Sequence, residues 1–280
     1  MLLKNHLIKI FWKFGIFQFL MEKNSHPRYV IMFHGISKSK VSKVPADIQP
    51  HLDIREFSEI IEWLNENFDF LNPDQLLNTN KPGILLTFDD GFNNNFTNVL
   101  PVIEKYEIPA IFFITTQHVA KPNEWLHFAK TKIHRLRKEH NSIHSKDNIS
   151  DWFDGISIKN LKEMADSSII EIGSHTISHP LLTEISADQI ENELVLSRTF
   201  LEGIIKKPVK YFAYPSGNYN SLVISKVREA GYEAAFGIDK INHLGHPIYE
   251  IPRIGIYSSE LSYLYAKLSG IYQKPIKRLK

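Results

Sequence analysis

Asp89 and Asp90 stand side by side at the end of an apolar run, Ile84-Leu-Leu-Thr-Phe-Asp-Asp-Gly91. Neighbouring strand residues face opposite ways, but a turn at Gly91 can bring both carboxylates toward one cavity. Two adjacent anions repel, so a nearby cation would stabilise the pair. A lone Asp here reads equally well as a cap on the next helix, whose N-terminus favours a carboxylate. Two in a row fit that reading less well.

The second stretch is Ile169-Ile-Glu-Ile-Gly-Ser-His-Thr-Ile-Ser-His-Pro180, in which His175 and His179 follow another apolar run. If they share one helical turn, both imidazoles project from the same side. Alone, a His-x-x-x-His pair is more often structural. Joined to Asp-Asp at a strand end, it supplies one carboxylate and two imidazoles, leaving coordination positions open for water and substrate. A metal so held acidifies water and polarises a carbonyl. The remaining carboxylate then serves as the base for the attacking water's proton. Asp90 as ligand and Asp89 as base is the economical division, although spacing does not say which is which.

These residues need elements to place them. Strand-like runs fall at 29–33, 84–88, 110–114, 169–172, 211–214, 234–238 and 253–256. Helical patterns lie between them. Ile54, Phe57, Ile60, Ile61, Leu64 and Phe68 share a face behind a capping Asp53. Ser186 and Gln189 form a capping box ahead of Ile190, Leu194, Leu201 and Ile205. The 221–230 pattern ends at Gly231 and the 259–269 pattern at Gly270, as left-handed C-caps would. Strands alternating with helices imply a parallel sheet, and seven of them suggest a closed or nearly closed α/β barrel, with an open doubly wound sheet as the alternative. In such folds active sites gather at the C-terminal ends of the strands.

The domain organisation follows: an N-terminal amphipathic segment over 1–24, a catalytic domain over 25–272 and a basic tail over 273–280. An irregular insertion near 117–148 should hold a helix and a solvated loop. The first segment sets Ile8, Phe11, Trp12, Ile16, Phe19 and Leu20 at near-helical spacing, broken by Lys9, Lys13 and Gln18. Its apolar runs are too short to span a membrane, and it lacks a small-residue cleavage site. It fits peripheral contact with a membrane interface or a helix docked on the main fold, with an atypical signal segment as a third alternative. That favours a cytoplasmic or membrane-associated location, with the cell envelope as the alternative.

Composition excludes several functions. The 280 residues are 43% hydrophobic with a net charge of +2, so nothing marks a nucleic-acid binder. There is no cysteine, which removes thiol catalysis and zinc–cysteine sites.

Thr87-Phe-Asp-Asp90 and His175-Thr-Ile-Ser-His179 resemble the first two motifs of the polysaccharide deacetylase family (NodB homology, carbohydrate esterase family 4). The resemblance extends to Ile31-Met-Phe-His-Gly-Ile36 and Phe212-Ala-Tyr-Pro-Ser-Gly217, and so covers roughly Tyr29 to Tyr257. The early His-Gly and the Phe-Ala-Tyr-Pro form are most similar to the branch acting on poly-N-acetylglucosamine and other exported or envelope glycans. The resemblance implies a distorted (β/α)7 barrel and removal of N-acetyl groups from an N-acetylhexosamine glycan. It implies Asp89 as base and Asp90, His175 and His179 on a divalent metal, Zn2+ first, with Co2+, Ni2+ or Mn2+ as alternatives. O-acetyl ester hydrolysis at the same site and a catalytically weak glycan-binding protein are the rival functions.

The sequence departs from the family pattern in its third motif, Arg-x-Pro-Tyr, where it has Ala213 and Ser216. The Ser216 main-chain N–H still suits a developing oxyanion. Arg253 is the candidate substitute for the missing arginine. No Leu-x-x-His motif is found, so His34 becomes the first candidate acid, ahead of His243 and His246. Tyr214 and Trp125 are candidates for stacking on sugar rings, against a core role.

Overall fold

The computed structural model describes residues 8, 10–14, 16, 28–42, 44–139, 146–238 and 247–269. Seven parallel strands form its sheet: β1 (Arg28–Phe33), β4 (Gly83–Phe88), β5 (Ala110–Ile114), β6 (Ile170–Ser174), β7 (Tyr211–Ala213), β8 (Ala234–Phe236) and β9 (Ile254–Gly255). Their spatial order is β8-β7-β6-β5-β4-β1-β9. All seven expected runs are present, though the last is only two residues long. A separate parallel pair, β2 (Ile36–Ser37) with β3 (Leu52–Asp53), was not foreseen, because two residues carry no period.

The sheet curls until its edges nearly meet. Ile251 bridges Phe236 of β8, and three residues later Ile254 pairs with Ile31 of β1. One short segment thus ties both edges together, giving the distorted (β/α)7 barrel. The structure sides with the barrel over the open sheet.

Alternation along the strands divides the core. Ile31, Leu86, Phe88 and Phe112 pack outward against the helices, with Phe57, Ile60 and Ile61 of the Ile54–Asn67 helix among their cluster. Val30, Leu85, Ile111, Phe113 and Phe236 form a second cluster contributed largely by strands. Every residue of β4 and β5 is buried, as a parallel strand covered on both faces requires. The period of two places Thr87 and Asp89 on the face of Leu85, directed into the barrel.

The helix caps form as read. Asp53 and Ser186 each complete a capping box, and Gly231 adopts φ +81°. Gly270 lies outside the described residues. Short helices at Pro73–Asn78, Leu100–Lys105, Thr116–Ala120 and Ile158–Asp166 were not singled out, since each offers at most three turns of periodicity.

The helix expected in the basic insertion is His127–Glu139, while 140–145, where the loop was expected, lie outside the described residues. Ala129 and Ile133 of this helix are buried with Ile149, Trp152 and Phe153 of the following Lys146–Phe153 helix. The insertion therefore has an apolar underside, packed with Val44, Ile48 and Phe92. At the N-terminus, Ile8 packs against Ala266, while Trp12 and Phe14 are exposed. No helix among the described residues is long and apolar enough to cross a membrane. The tail 273–280 lies outside them.

Candidate active site

Parallel strands place all their C-terminal ends at one mouth of the barrel. His34 follows β1, Asp89 and Asp90 follow β4, His175 and His179 follow or lie beyond β6, and Ser216 lies just past β7. These residues share one cleft of about 420 Å³, within the range of small-ligand sites, roughly 300–1,000 Å³.

Asp89 is gripped by Arg253. Nη1 donates to Oδ1 at 2.6 Å and Nη2 to Oδ2 at 2.8 Å, with both side chains buried. Arg253 also donates to the Thr87 hydroxyl and the Gly237 carbonyl, and its guanidinium lies 5.3 Å from the centre of the Phe113 ring. A planar fork on a carboxylate fixes its orientation as well as its charge. Burial opposes ionisation of Asp89, but the charge of Arg253, helped by His175, outweighs it and holds the carboxyl at about 2. The substitution suggested for the absent third-motif arginine is thus realised in space.

Asp90 escapes the strand alternation because its backbone enters the left-handed region at φ +75°, followed by Gly91 at +76°. A side chain on Gly91 would also crowd Ile114, whose Cγ2 would lie 3.1 Å away. Asp90 Oδ1 is buried and has no hydrogen-bond partner among the described residues. It faces His175 Nε2 at 3.8 Å and His179 Nε2 at 3.6 Å. Burial, reinforced by the charge of Asp89 and resisted by His34, pushes Asp90 up to about 6.

The tautomer of His175 follows from its other nitrogen. Nδ1 lies 2.8 Å from the Ala213 carbonyl, which can only accept, so Nδ1 carries the hydrogen and Nε2 presents a lone pair. Burial depresses His175 to about 3 and lowers His179 as well, so both rings are neutral near pH 7. One carboxylate oxygen and two imidazole nitrogens thus converge, all within 4.8 Å of one another. Two ligand atoms of a tetrahedral zinc ion, each about 2.0–2.1 Å from it, sit about 3.4 Å apart. The unpartnered oxygen and the donor types fit a divalent metal, and the 3.6 and 3.8 Å oxygen–nitrogen separations lie near that spacing.

The expected helical turn through His175 and His179 does not form. Thr176 and His179 adopt φ +70° and +61°, which no right-handed helix contains. Glu193 holds this loop instead, accepting from the Ile177 and Ser178 amides at 2.7 and 3.1 Å and from the Ser178 hydroxyl at 2.7 Å. Thr176 Oγ1 accepts from the His179 amide at 3.0 Å. The two rings still meet, 4.8 Å apart and nearly perpendicular.

His34 lines the cleft with a buried Nδ1 that has no partner among the described residues. Ser216 lines it too, at φ +56°. Tyr214 does not reach it: fully buried, it donates its hydroxyl to the Tyr249 carbonyl and belongs to the core. Trp125 donates to Asp154 and lies outside the lining, whereas Trp152 is part of it. His243 and His246 lie outside the described residues. Sequence reading missed Glu193, His51, Tyr257 and Lys132; none sits in a recognisable motif, and only the fold carries them here.

A family model described as polysaccharide deacetylase matches residues 77–235, more than half of the chain. A Staphylococcus aureus (strain N315) poly-beta-1,6-N-acetyl-D-glucosamine N-deacetylase is 28% identical over 235 residues, 78% of this chain and 72% of that protein. YxkH of Bacillus subtilis (strain 168) is 26% identical over 212 residues, 73% of this chain but only 62% of its own length, less than two thirds. Among solved structures, IcaB from Ammonifex degensii superposes with a TM-score of 0.67 at 20% identity, covering 87% of this chain and 97% of that one. A Streptococcus pyogenes deacetylase, PplD, in complex with acetate gives 0.62 at 19% identity, covering 85% and 97%. At such identities these structures speak to the fold.

Proposed function

The chain belongs to the polysaccharide deacetylase family, and from that premise we propose that its cleft hydrolyses the N-acetyl group of an N-acetylhexosamine in a glycan. The observation that carries this reading is the unpartnered Asp90 oxygen facing two neutral imidazoles, next to a carboxylate clamped by Arg253. The likeness to a poly-beta-1,6-N-acetyl-D-glucosamine N-deacetylase supports the substrate class.

In this mechanism Asp90, His175 and His179 would hold a divalent ion, with zinc as the first candidate for the donor set. When bound, such an ion polarises the acetamide carbonyl and acidifies water. Asp89 takes the attacking water's proton. The charge of Arg253 holds its carboxyl well below the usual range, so it is ionised and able to accept at neutral pH. Arg253 keeps it ionised and aims its oxygens. Ser216 lines the cleft with a left-handed backbone, and in this reading its main-chain N–H would donate to the developing oxyanion. His34, whose buried Nδ1 has no partner among the described residues, would deliver a proton to the departing amine. The N-terminal segment, with Ile8 docked and Trp12 and Phe14 exposed, supports a peripheral membrane contact that co-sedimentation with vesicles would test.

Acetate release from N-acetylated glycans, with and without chelator, tests the whole reading. Chelator-sensitive release from amides supports it. Release from O-acetyl esters alone would make the protein an esterase, and glycan binding without release would leave it a binding protein. The grip of Arg253 on Asp89 weighs against the last outcome, because it supplies what the third motif lacks.

A further inference from the structure

One cation in the cleft has no counterpart in the mechanism. Lys132 comes from the His127–Glu139 helix, one turn after Phe128, and both line the cleft. The helix is held from beneath by Ala129 and Ile133, which pack with Val44 and Ile48, and from the side by an ion pair between Arg135 and Asp47. Lys132 is half-buried, yet it makes no hydrogen bond or ion pair among the described residues. Burial pulls its ammonium below the usual range, against the pull of Asp47 and Asp90. Withdrawing a charge from water without a partner costs free energy, which a ligand group of opposite charge would offset.

The cleft itself offers no such group. Its lining contains two carboxylates, Asp89 and Asp90. Asp89 is neutralised by Arg253 through two hydrogen bonds. Asp90 belongs to the metal-ligand set, where an added divalent ion leaves net positive charge. Asp47 is engaged by Arg135. The bland alternative is a lysine whose stem covers apolar surface while its head reaches bulk water. Its place in the cleft lining, with Trp152 and His51 among the other walls, favours a ligand-facing head.

We infer that Lys132 is a specificity-determining residue that binds an anionic substituent, a carboxylate or a phosphate, carried by the glycan close to the acetylated amine. The inference rests on the deacetylase reading for the identity of the neighbouring group. It narrows the substrate from N-acetylhexosamine glycans in general to acidic ones.

The test is equilibrium binding by calorimetry to the full chain, metal-free and zinc-loaded. The probes are a neutral N-acetylglucosamine oligosaccharide, one with an adjacent uronic acid and one with an adjacent phosphate. Acetate release is measured on the same three. Wild type should prefer at least one acidic probe over the neutral one by roughly tenfold, the scale of one charge-assisted hydrogen bond at a partly exposed site. That preference should shrink as salt is raised. Lys132→Met should remove it while leaving the neutral probe within about twofold, and Lys132→Arg should retain most of it. The two acidic arms identify which anion is recognised. Equal binding of all three probes by wild type would overturn the inference, as would equal losses on neutral and acidic probes in Lys132→Met. Acetate release from the neutral glycan without any acidic preference would sink this inference and spare the deacetylase reading. Acidic preference in binding without acetate release from any probe would do the reverse.

Discussion

Arg253 closes on both carboxylate oxygens of Asp89, at 2.6 and 2.8 Å, from 164 positions further along the chain. The contact joins the last strand segment to the end of β4 across the interior of the barrel. It keeps the Asp89 carboxyl ionised and fixes its direction.

Truncating the cation should therefore cost stability as well as turnover. Arg253→Met leaves Asp89 buried and unpaired, and removing one partner of a buried pair costs about 3–5 kcal/mol. Urea unfolding would show this as a lower midpoint, and kcat/KM for acetate release should fall in the portion that stays folded. A variant with unchanged stability would mean that the pair is not formed as described.

Asp89→Asn removes the proposed base and keeps the side-chain volume, leaving Arg253 a neutral amide oxygen to bond. Turnover should drop by roughly 10²–10⁴, the usual contribution of a positioned base. Metal content, measured by atomic absorption, should stay at the wild-type level because Asp89 is outside the ligand set. By contrast, His175→Ala should lose both metal and activity. Near-normal acetate release from Asp89→Asn would reassign the base.

Glu193 touches none of the three metal-ligand atoms, yet it fixes the loop that carries His179. Glu193→Ala frees the Ile177 and Ser178 amides and lets the positive-φ loop relax. Metal affinity should weaken about 10–100-fold, the range for outer partners of a metal site, with far-ultraviolet dichroism unchanged. Competition with a fluorescent chelator measures it, and an unaltered affinity would refute the role.

Buried His118 should make the metal-free protein acid-sensitive. Its Nε2 accepts from the Leu126 amide at 3.3 Å, so the proton resides on Nδ1, 3.2 Å from the Asp90 carbonyl. Protonating Nε2 would place two hydrogens face to face. Burial lowers its pKa from 6.5 to about 4. The unfolded chain therefore binds a proton first as pH falls. Stability is fully present above pH 6.5 and declines as pH falls from there through 4, by at most about 1.4 kcal/mol per unit for this side chain. Urea unfolding at pH 7 and pH 5 should show a shallower dependence in His118→Gln than in wild type. Parallel slopes would exclude His118 as a source.

What could be read from residue order was whatever is local. The apolar runs of β1, β4 and β5, the caps at Asp53 and Ser186, and the Asp-Asp and His-x-x-x-His stretches depend on neighbours within a few positions. Parallel connection then forces the strand ends, and those stretches with them, to one mouth. The conformation of the His175–His179 loop was not legible, since left-handed Thr176 and His179 run against ordinary backbone preference and depend on Glu193. The partner of Asp89, the tautomer of His175 and the reach of Lys132 into the cleft were decided by tertiary structure alone. Each is a contact across tens of residues or more, and such contacts exist only once the barrel has curled and the insertion has packed on it. Chemistry was written in short motifs; its orientation and selectivity came from closure.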